Sequence, residues 1–354
     1  MGIDNHFTNQ DTPAAATPDR PVAPEDWDEE PVEDGAPPSN SLDAMLEALN
    51  LGGIPAAPEG FRSGFVGIVG RPNVGKSTLM NDLIGQKVAI VSPIAQTTRN
   101  RLRGILTRDD AQIVFVDTPG IHKPHHELGK VLVANARMAI HSTDLLLFVV
   151  DGSVEAGGGD RFVADWLTQA TVPVVLGLNK IDLQTDRAVE ASYEALAADR
   201  GWPVVRFSAL HGDGMDELLQ TLIDRLPPGP YYYPPDLVTD RPERFVMGEL
   251  IREQILLHAR DEIPHSVAVE IDRVEETPKI TRVLATIHIE RASQKAILIG
   301  KGGSMLKAIG TAAREQIQKL IDGKVYLELY VKLQPKWRRS PARLADLGYR
   351  VEEE

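Results

Sequence analysis

Cysteine is absent from all 354 residues, which excludes disulfides and thiolate metal sites and fits a reducing compartment. Long apolar runs are missing too. The longest clusters, such as LLLFVV at 145–150, fall far short of the roughly 20 residues that cross a bilayer as a helix. The N-terminal stretch MGIDNHFTNQDTPAAATPDR has neither a basic start nor an apolar core, so it does not read as a secretory signal. These absences lead to the expectation of a cytoplasmic protein. A basic surplus is also lacking: the net charge is −13, which taken whole argues against a nucleic-acid partner. What is present, 42% hydrophobic and 25% charged residues, is the composition of a soluble globular chain.

The charge is unevenly placed. Residues 1–60 carry 13 acids against one base, residues 61–240 carry 21 acids against 17 bases, and residues 241–354 carry 17 acids against 20 bases. Within the last part, 290–343 holds 12 bases and 4 acids, a local net of +8. The acidic total therefore belongs to the N-terminal extension, and a basic face is available near the C-terminus.

Residues 1–60 are rich in Pro, Ala, Asp and Glu and too poor in large apolar side chains to fold alone; SLDAMLEALNL at 41–51 is the one stretch with the pattern of a short amphipathic helix. From 61 to 228 apolar runs at 65–69, 112–116, 145–150, 172–178 and 203–207 alternate with amphipathic stretches near 76–85, 126–141, 160–169, 184–199 and 213–226. Continuous apolar strands separated by helices predict an α/β domain with a mostly parallel, doubly wound sheet covered on both faces. LPPGPYYYPPD at 226–236 breaks the pattern, and a proline-rich linker is expected over 229–240. Residues 241–354 then read helix (240–259), strand (266–274), strand (281–290), helix (292–298), turn, helix (304–320), strand (324–333), an α+β unit with one solvated sheet face.

GRPNVGKS at 70–77 fits G-x-x-x-x-G-K-[ST] between a strand and a helix, which is the context a phosphate loop requires. Gly70, Arg71, Pro72, Asn73, Val74 and Gly75 would cradle phosphates, Lys76 would reach the β- and γ-phosphates, and Ser77, with Thr78 behind it, would ligate Mg²⁺. Asp117, Thr118, Pro119 and Gly120 close another strand; Asp117 is placed to hold Mg²⁺ through water and the Gly120 N–H to meet a γ-phosphate. Asn179, Lys180, Ile181 and Asp182 end a third strand. An Asp carboxylate pairs with the N1–H and N2–H₂ of guanine, which adenine cannot match, so Asp182 points to GTP and GDP. Ser208, Ala209 and Leu210 follow the fifth strand, with the Ala209 N–H available to the guanine oxygen. All of these lie at C-terminal strand ends, where open α/β sheets bind ligands.

A second glycine turn, Gly300, Lys301, Gly302 and Gly303, lacks the triphosphate spacing and an acid for Mg²⁺, and it joins two helices. An ordinary helix–helix turn is the plain alternative. The α-β-β-α-α-β order and the local +8 favour the G-x-x-G loop of a KH domain, which grips about four single-stranded nucleotides. Lys301 and Lys307 would supply charge to the RNA backbone, and Ile297, Ile299, Met305 and Ile309 are expected to be mostly core, with one or two of them open to a role in flooring the base-binding groove. Trp337 in KWRRSPARLADLGYR (336–350) either closes the fold or stacks on RNA.

The N-terminal domain resembles the Ras-like, translation-factor-related GTPases. On that resemblance QTTR at 96–99 supplies the switch threonine that completes the Mg²⁺ shell; Thr97 and Thr98 both qualify, with Thr98 preferred. Ile121 stands where Ras has a water-orienting glutamine. The whole of 63–350, including GRPNVGKSTLMNDLIGQKVAIVS, QTTR, VDTPGIH, NKID, YYYPPDLVTDRPERF, EIPHSV and LADLGY, resembles the Era family of ribosome-associated GTPases. The resemblance implies a Ras-like P-loop domain followed by a type II KH domain. It also implies a monomer that binds 16S rRNA near its 3′ end during 30S subunit assembly, engages RNA in a GTP-dependent way and associates loosely with the inner face of the cell membrane. An enzyme that turns over GTP and a docking checkpoint that only needs GTP bound are both compatible with these motifs. Lys76, Thr98 and Gly120 are the groups expected at the reacting phosphate.

An isoleucine at position 121 cannot polarise water. Basal GTP hydrolysis should therefore be slow and should rise when a partner positions the water. A basal single-turnover rate within the range of about 1–100 s⁻¹ typical of kinases would overturn this.

Overall fold

The computed structural model describes residues 54–92, 98–99, 102–120, 127–183, 186–259, 263–321 and 323–349. The acidic extension, the stretch at 41–51, Thr97 and Ile121 lie outside them, apart from residues 54–60. Residues 52–354 form one compact unit with two sheets.

The first sheet takes β1 (Arg62–Val69), β2 (Leu102–Thr107), β3 (Ala111–Asp117), β4 (Leu145–Asp151), β5 (Val174–Asn179) and β6 (Val204–Arg206) in the order β2-β3-β1-β4-β5-β6. All neighbours are parallel except β2, which pairs antiparallel with β3. Around it lie α1 (Lys76–Ile84), α2 (Glu127–His141), α3 (Gly158–Leu167), α4 (Arg187–Ala198) and α5 (Met215–Ile223). The central strands are buried along their length because helices cover both faces, and their all-apolar runs reflect that. One core packs β1, β3 and β4 against α1 and α5; the other packs β4 and β5 against α3 and α4.

The strand β2 was not expected from the sequence. Arg103 and Gly104 interrupt its apolar pattern, because it is an edge strand crossed by a helix. A Cβ on Gly104 would lie 2.0 Å from Ile84 Cδ1, so glycine lets α1 pass with its side chains undisturbed. Helix α1 is itself delimited by glycines in the left-handed region, Gly75 at φ 100° and Gly85 at φ 72°.

The proline-rich segment does not hang free. The Gln112 side chain accepts from the N–H groups of Tyr232 (2.7 Å) and Tyr233 (3.0 Å) and donates to the Tyr233 carbonyl (2.9 Å). Ile105 N–H donates to the Val238 carbonyl, covering the open edge of β2. Phe61 and Phe65 pack on the rings of Tyr231 and Tyr232.

The second sheet, β7 (Ala268–Thr277), β8 (Ile280–Ile289) and β9 (Lys324–Leu333), has β7 antiparallel and β9 parallel to the central β8. Helices α6 (Glu243–His258), α8 (Ala292–Ile299) and α9 (Ser304–Ile317) cover one face around a single core, while the alternating residues of β9 leave the other solvated. The short α7 (Ile263–Ser266) precedes β7, and α10 (Pro341–Asp346) closes the chain. A further cluster joins Leu128 and Leu132 of α2 to Ala268, Trp337, Leu344 and Tyr349. Trp337 is fully buried there, donates from Nε1 to the Ser266 carbonyl (3.0 Å) and stacks on Tyr349. Of the two roles open to it, the tryptophan closes the fold, and burial removes it from any RNA-stacking surface.

Trp337→Ala should lower stability by about 3–5 kcal/mol, since it deletes a buried indole and orphans the Ser266 carbonyl. Denaturant unfolding checks this, and a loss below ~1 kcal/mol would mean that the cluster contributes little.

Candidate functional site: a phosphate loop and a glycine turn

The loop after β1 must pass close under β4. A Cβ on Gly70 would lie 2.3 Å from the Val149 carbonyl oxygen, and one on Gly75 would lie 2.3 Å from Asn179 Nδ2. Asn73 (φ 64°) and Gly75 adopt left-handed backbone, the kind of turn that gathers amides into an anion-binding concavity. Helix α1 begins directly behind with no acidic residue in its first turn and no side-chain cap, so its N-terminus is open to an anion. Arg71 is tied outward by Nε to Asp160 Oδ1 at 2.7 Å.

Lys76 is buried, and its Nζ donates to the carbonyls of Gly70 (3.2 Å) and Arg71 (2.9 Å). Burial pulls its pKa down to about 8, against the opposing charge of Asp117. Neutral carbonyls hold the cation in place and leave its charge for a ligand.

Three hard oxygens converge beside it. Ser77 Oγ donates to Asp117 Oδ2 at 2.9 Å, Thr98 Oγ1 donates to the same oxygen at 2.7 Å, and the two hydroxyls lie 3.1 Å apart. Asp117 is wholly buried, and among the described residues its Oδ1 has no hydrogen-bond partner. Burial pushes its carboxyl up, against Lys76 and the two hydroxyl donors. A buried carboxylate with one bare oxygen, next to two alcohols, is the donor set of a magnesium-type cation. Thr118 Oγ1 donates to the Ile68 carbonyl (2.8 Å) and fixes the turn, and a Cβ on Gly120 would lie 2.9 Å from Pro72 N. The resulting cavity, of about 360 Å³, is lined by Lys76, Ser77, Thr78, Thr98, Gly120 and Lys180 among others. Val91 and Ser92, which were given no site role from the sequence, also line it.

At the far end Asn179 works as a brace. Its Nδ2 donates to the Val74 carbonyl (2.8 Å), and its Oδ1 accepts from the N–H groups of Lys180 (2.8 Å) and Ala209 (2.9 Å). The Ala209 N–H, expected from sequence at the guanine oxygen, is held here by the Asn179 side chain. Lys180 sits at φ 65° with Nζ 2.6 Å from Asp151 Oδ2, and burial, which raises the Asp151 carboxyl, is outweighed by hydrogen bonds from Lys180 and Ser153. Sequence reasoning missed Asp151, although it ends β4 as Asp117 ends β3. Ser208 Oγ donates to Asp182 Oδ1 at 2.6 Å and so aims the carboxylate. Ile181 opens a short 3₁₀ turn, and Leu210 is largely exposed.

The second glycine turn lies between α8 and α9. Gly300 (φ 73°), Gly302 (φ 60°) and Gly303 (φ 81°) are all left-handed, and nothing lies within 4 Å of where a Cβ on Gly302 or Gly303 would stand. The turn therefore presents bare backbone to solvent, flanked by exposed Lys301 and Lys307. Ile309 is core, Ile299 and Met305 are partly buried, and Ile297 is 53% exposed beside the turn.

Fold and site define a P-loop GTPase domain joined to a KH domain. Residues 65–180 match the family model described as "50S ribosome-binding GTPase", and residues 262–338 match that of the KH domain. The chain is 68% identical to the GTPase Era of Nostoc sp. over 302 residues, which covers 85% of this chain and 93% of that one. It is 49% identical to the GTPase Era of Leuconostoc citreum over 82% of this chain and 98% of the other. It is also similar, with TM-score 0.79 and 37% identity over 82% of this chain and 99% of the other, to a crystal structure of Era in complex with MgGDPNP and nucleotides 1506-1542 of 16S ribosomal RNA. The chain belongs to the Era family of GTPases.

Asp182→Asn should shift nucleotide preference from GTP towards xanthosine triphosphate, because an amide donates where the carboxylate accepted. Competition binding measures it, and unchanged GTP affinity would remove Asp182 from the base pocket.

Proposed function

We propose that the protein is a Mg²⁺-dependent GTP hydrolase whose nucleotide state governs how its KH turn holds RNA near the 3′ end of 16S rRNA, in the service of 30S subunit assembly. The observation that carries this reading is the meeting of Ser77, Thr98 and Asp117 on one carboxylate oxygen. It ties a loop far from the phosphate loop in sequence to the place where a triphosphate would end. The relative that holds MgGDPNP and 16S rRNA nucleotides supports giving both ligands to this chain.

In this reading Ser77 and Thr98 ligate Mg²⁺ and Asp117 holds it through water; the ion supplies charge neutralisation at the β- and γ-phosphates. The phosphate-loop amides and Lys76 take the remaining phosphate charge, and the backbone of Gly120 steadies the γ-phosphate. Asp182, aimed by Ser208, selects guanine. The bare glycines 302 and 303 let the RNA backbone approach, with Lys301 and Lys307 beside it. Every residue assigned to either site comes from one chain, which supports a monomer. The lack of cysteine fits a cytoplasmic location. Among the described residues no helix is long and apolar enough to cross a membrane, so membrane association would be peripheral.

Replacing Lys301 and Gly302 together with Asp should abolish binding to an RNA of 16S nucleotides 1506-1542 and leave GTP affinity unchanged. In the intact protein that RNA should raise GTP turnover. RNA affinity that survives the double change would overturn the assignment of the turn, and turnover indifferent to RNA would favour occupancy over hydrolysis as the signal.

A further inference from the structure

Thr98 and Arg99 are neighbours that serve different halves of the molecule. Thr98 reaches the Asp117 carboxylate, whereas the Arg99 side chain is 3% exposed and enters the KH unit. Its Nη1 donates to the Val267 carbonyl at 2.5 Å and its Nη2 to the Pro264 carbonyl at 3.1 Å, and the guanidinium lies 5.9 Å from the Tyr349 ring centroid. Burial pulls its pKa down, with Tyr349 and Glu249 acting the other way and Arg252 adding to the penalty. A guanidinium kept from water without such acceptors is costly, so backbone carbonyls that hold it make this seat specific.

The socket that Arg99 fills leads on to the glycine turn. Ser266 stands between the two carbonyl-bearing residues, and its Oγ accepts from Gln294 Nε2 at 2.8 Å. Gln294 Oε1 in turn accepts from the N–H groups of Glu290 and Arg291, the cap of α8. That helix has 8 residues and ends at Gly300.

We propose that Arg99 is the positioning residue that couples the nucleotide site to the RNA-gripping turn, seated in the 264–267 socket when Thr98 is drawn to the cation and withdrawn when it is not; this rests on the nucleotide-gated reading above. Seating ties residues 264–267 to the nucleotide site, and Ser266 and Gln294 pass that placement to the start of α8. Withdrawal removes the guanidinium from two buried carbonyls, which lets the socket and helix relax together. Neither step needs contact between Arg99 and RNA.

The test measures affinity of the full chain for the 16S fragment 1506-1542 with a non-hydrolysable GTP analogue and with GDP. The wild type should bind more tightly in the GTP form, by a factor in the usual coupling range of about 5–150. Arg99→Gln should bring the GTP form to the level of the GDP form and leave the GDP form and the nucleotide affinity unchanged. Equal weakening of both forms marks a structural role and overturns the proposal, as does a variant that keeps the wild-type ratio. A wild type with no nucleotide dependence would instead overturn the gated reading itself. Should the variant not fold, hydrogen exchange on the wild type decides: protection of 263–268 and 292–299 should differ between nucleotides, and identical protection sinks the coupling.

Discussion

A carboxylate taken fully out of water with one oxygen bare is an unstable arrangement unless a cation completes it. Asp117 is in that position at the end of β3. Ser77 and Thr98 meet its other oxygen, so the start of α1 and the segment at 98–99 are both placed by it. Lys76, buried without a carboxylate in contact, faces the same problem with the opposite sign. The two strained charges are close enough to affect each other, and a phosphate with its metal ion resolves both. The two buried charges shape the nucleotide loop together, and the glycines at 70, 75 and 120 are the steric condition for that closeness.

Further contacts carry the placement of this site into the KH half. Val91, on the wall of the cavity, donates its N–H to Glu253 Oε1 at 2.8 Å, and Lys87 Nζ reaches Oε2 of the same buried carboxylate at 2.5 Å. Arg99 enters the 264–267 socket, and α2, which follows the Gly120 turn, packs Leu128 and Leu132 on Trp337 and Tyr349. Cavity wall, cation ligand and following helix all reach the second unit. Packed side chains of this kind shift between discrete arrangements and do not stretch, which is the condition for a change at one site to be felt at the other.

How much of this the sequence disclosed follows from the range of the interaction concerned. The strand at 324–333 was readable to the residue, because strict alternation reports a sheet with one wet face. Lys76 was placed at a helix start by its glycine spacing, and Asp117 and Asn179 at strand ends because a polar residue closes an apolar run there. The strand β2 was not, since Gly104 is there to let Ile84 pass and no local pattern encodes a neighbour. The brace from Asn179 to Ala209 and the pairing of Lys180 with Asp151 depend on which strand ends become adjacent once the sheet has formed. Arg99 lies 168 positions from the Val267 carbonyl it holds, and nothing in QTTR marks an arginine aimed away from the metal.

The two glycine turns of this chain show what distinguishes one phosphate site from another. In the first, glycine is required because strands and side chains crowd the loop, and a lysine is buried at its centre. Such a site encloses its ligand and meets a compact polyanion from all sides. In the second, Gly302 and Gly303 have open space where a side chain would be, and Lys301 stands in solvent. That backbone is bare because something must lie along it, and exposed charge suits a long, screened polyanion that is held and released. Enclosure favours chemistry on a phosphate, and exposure favours grip on a chain of them.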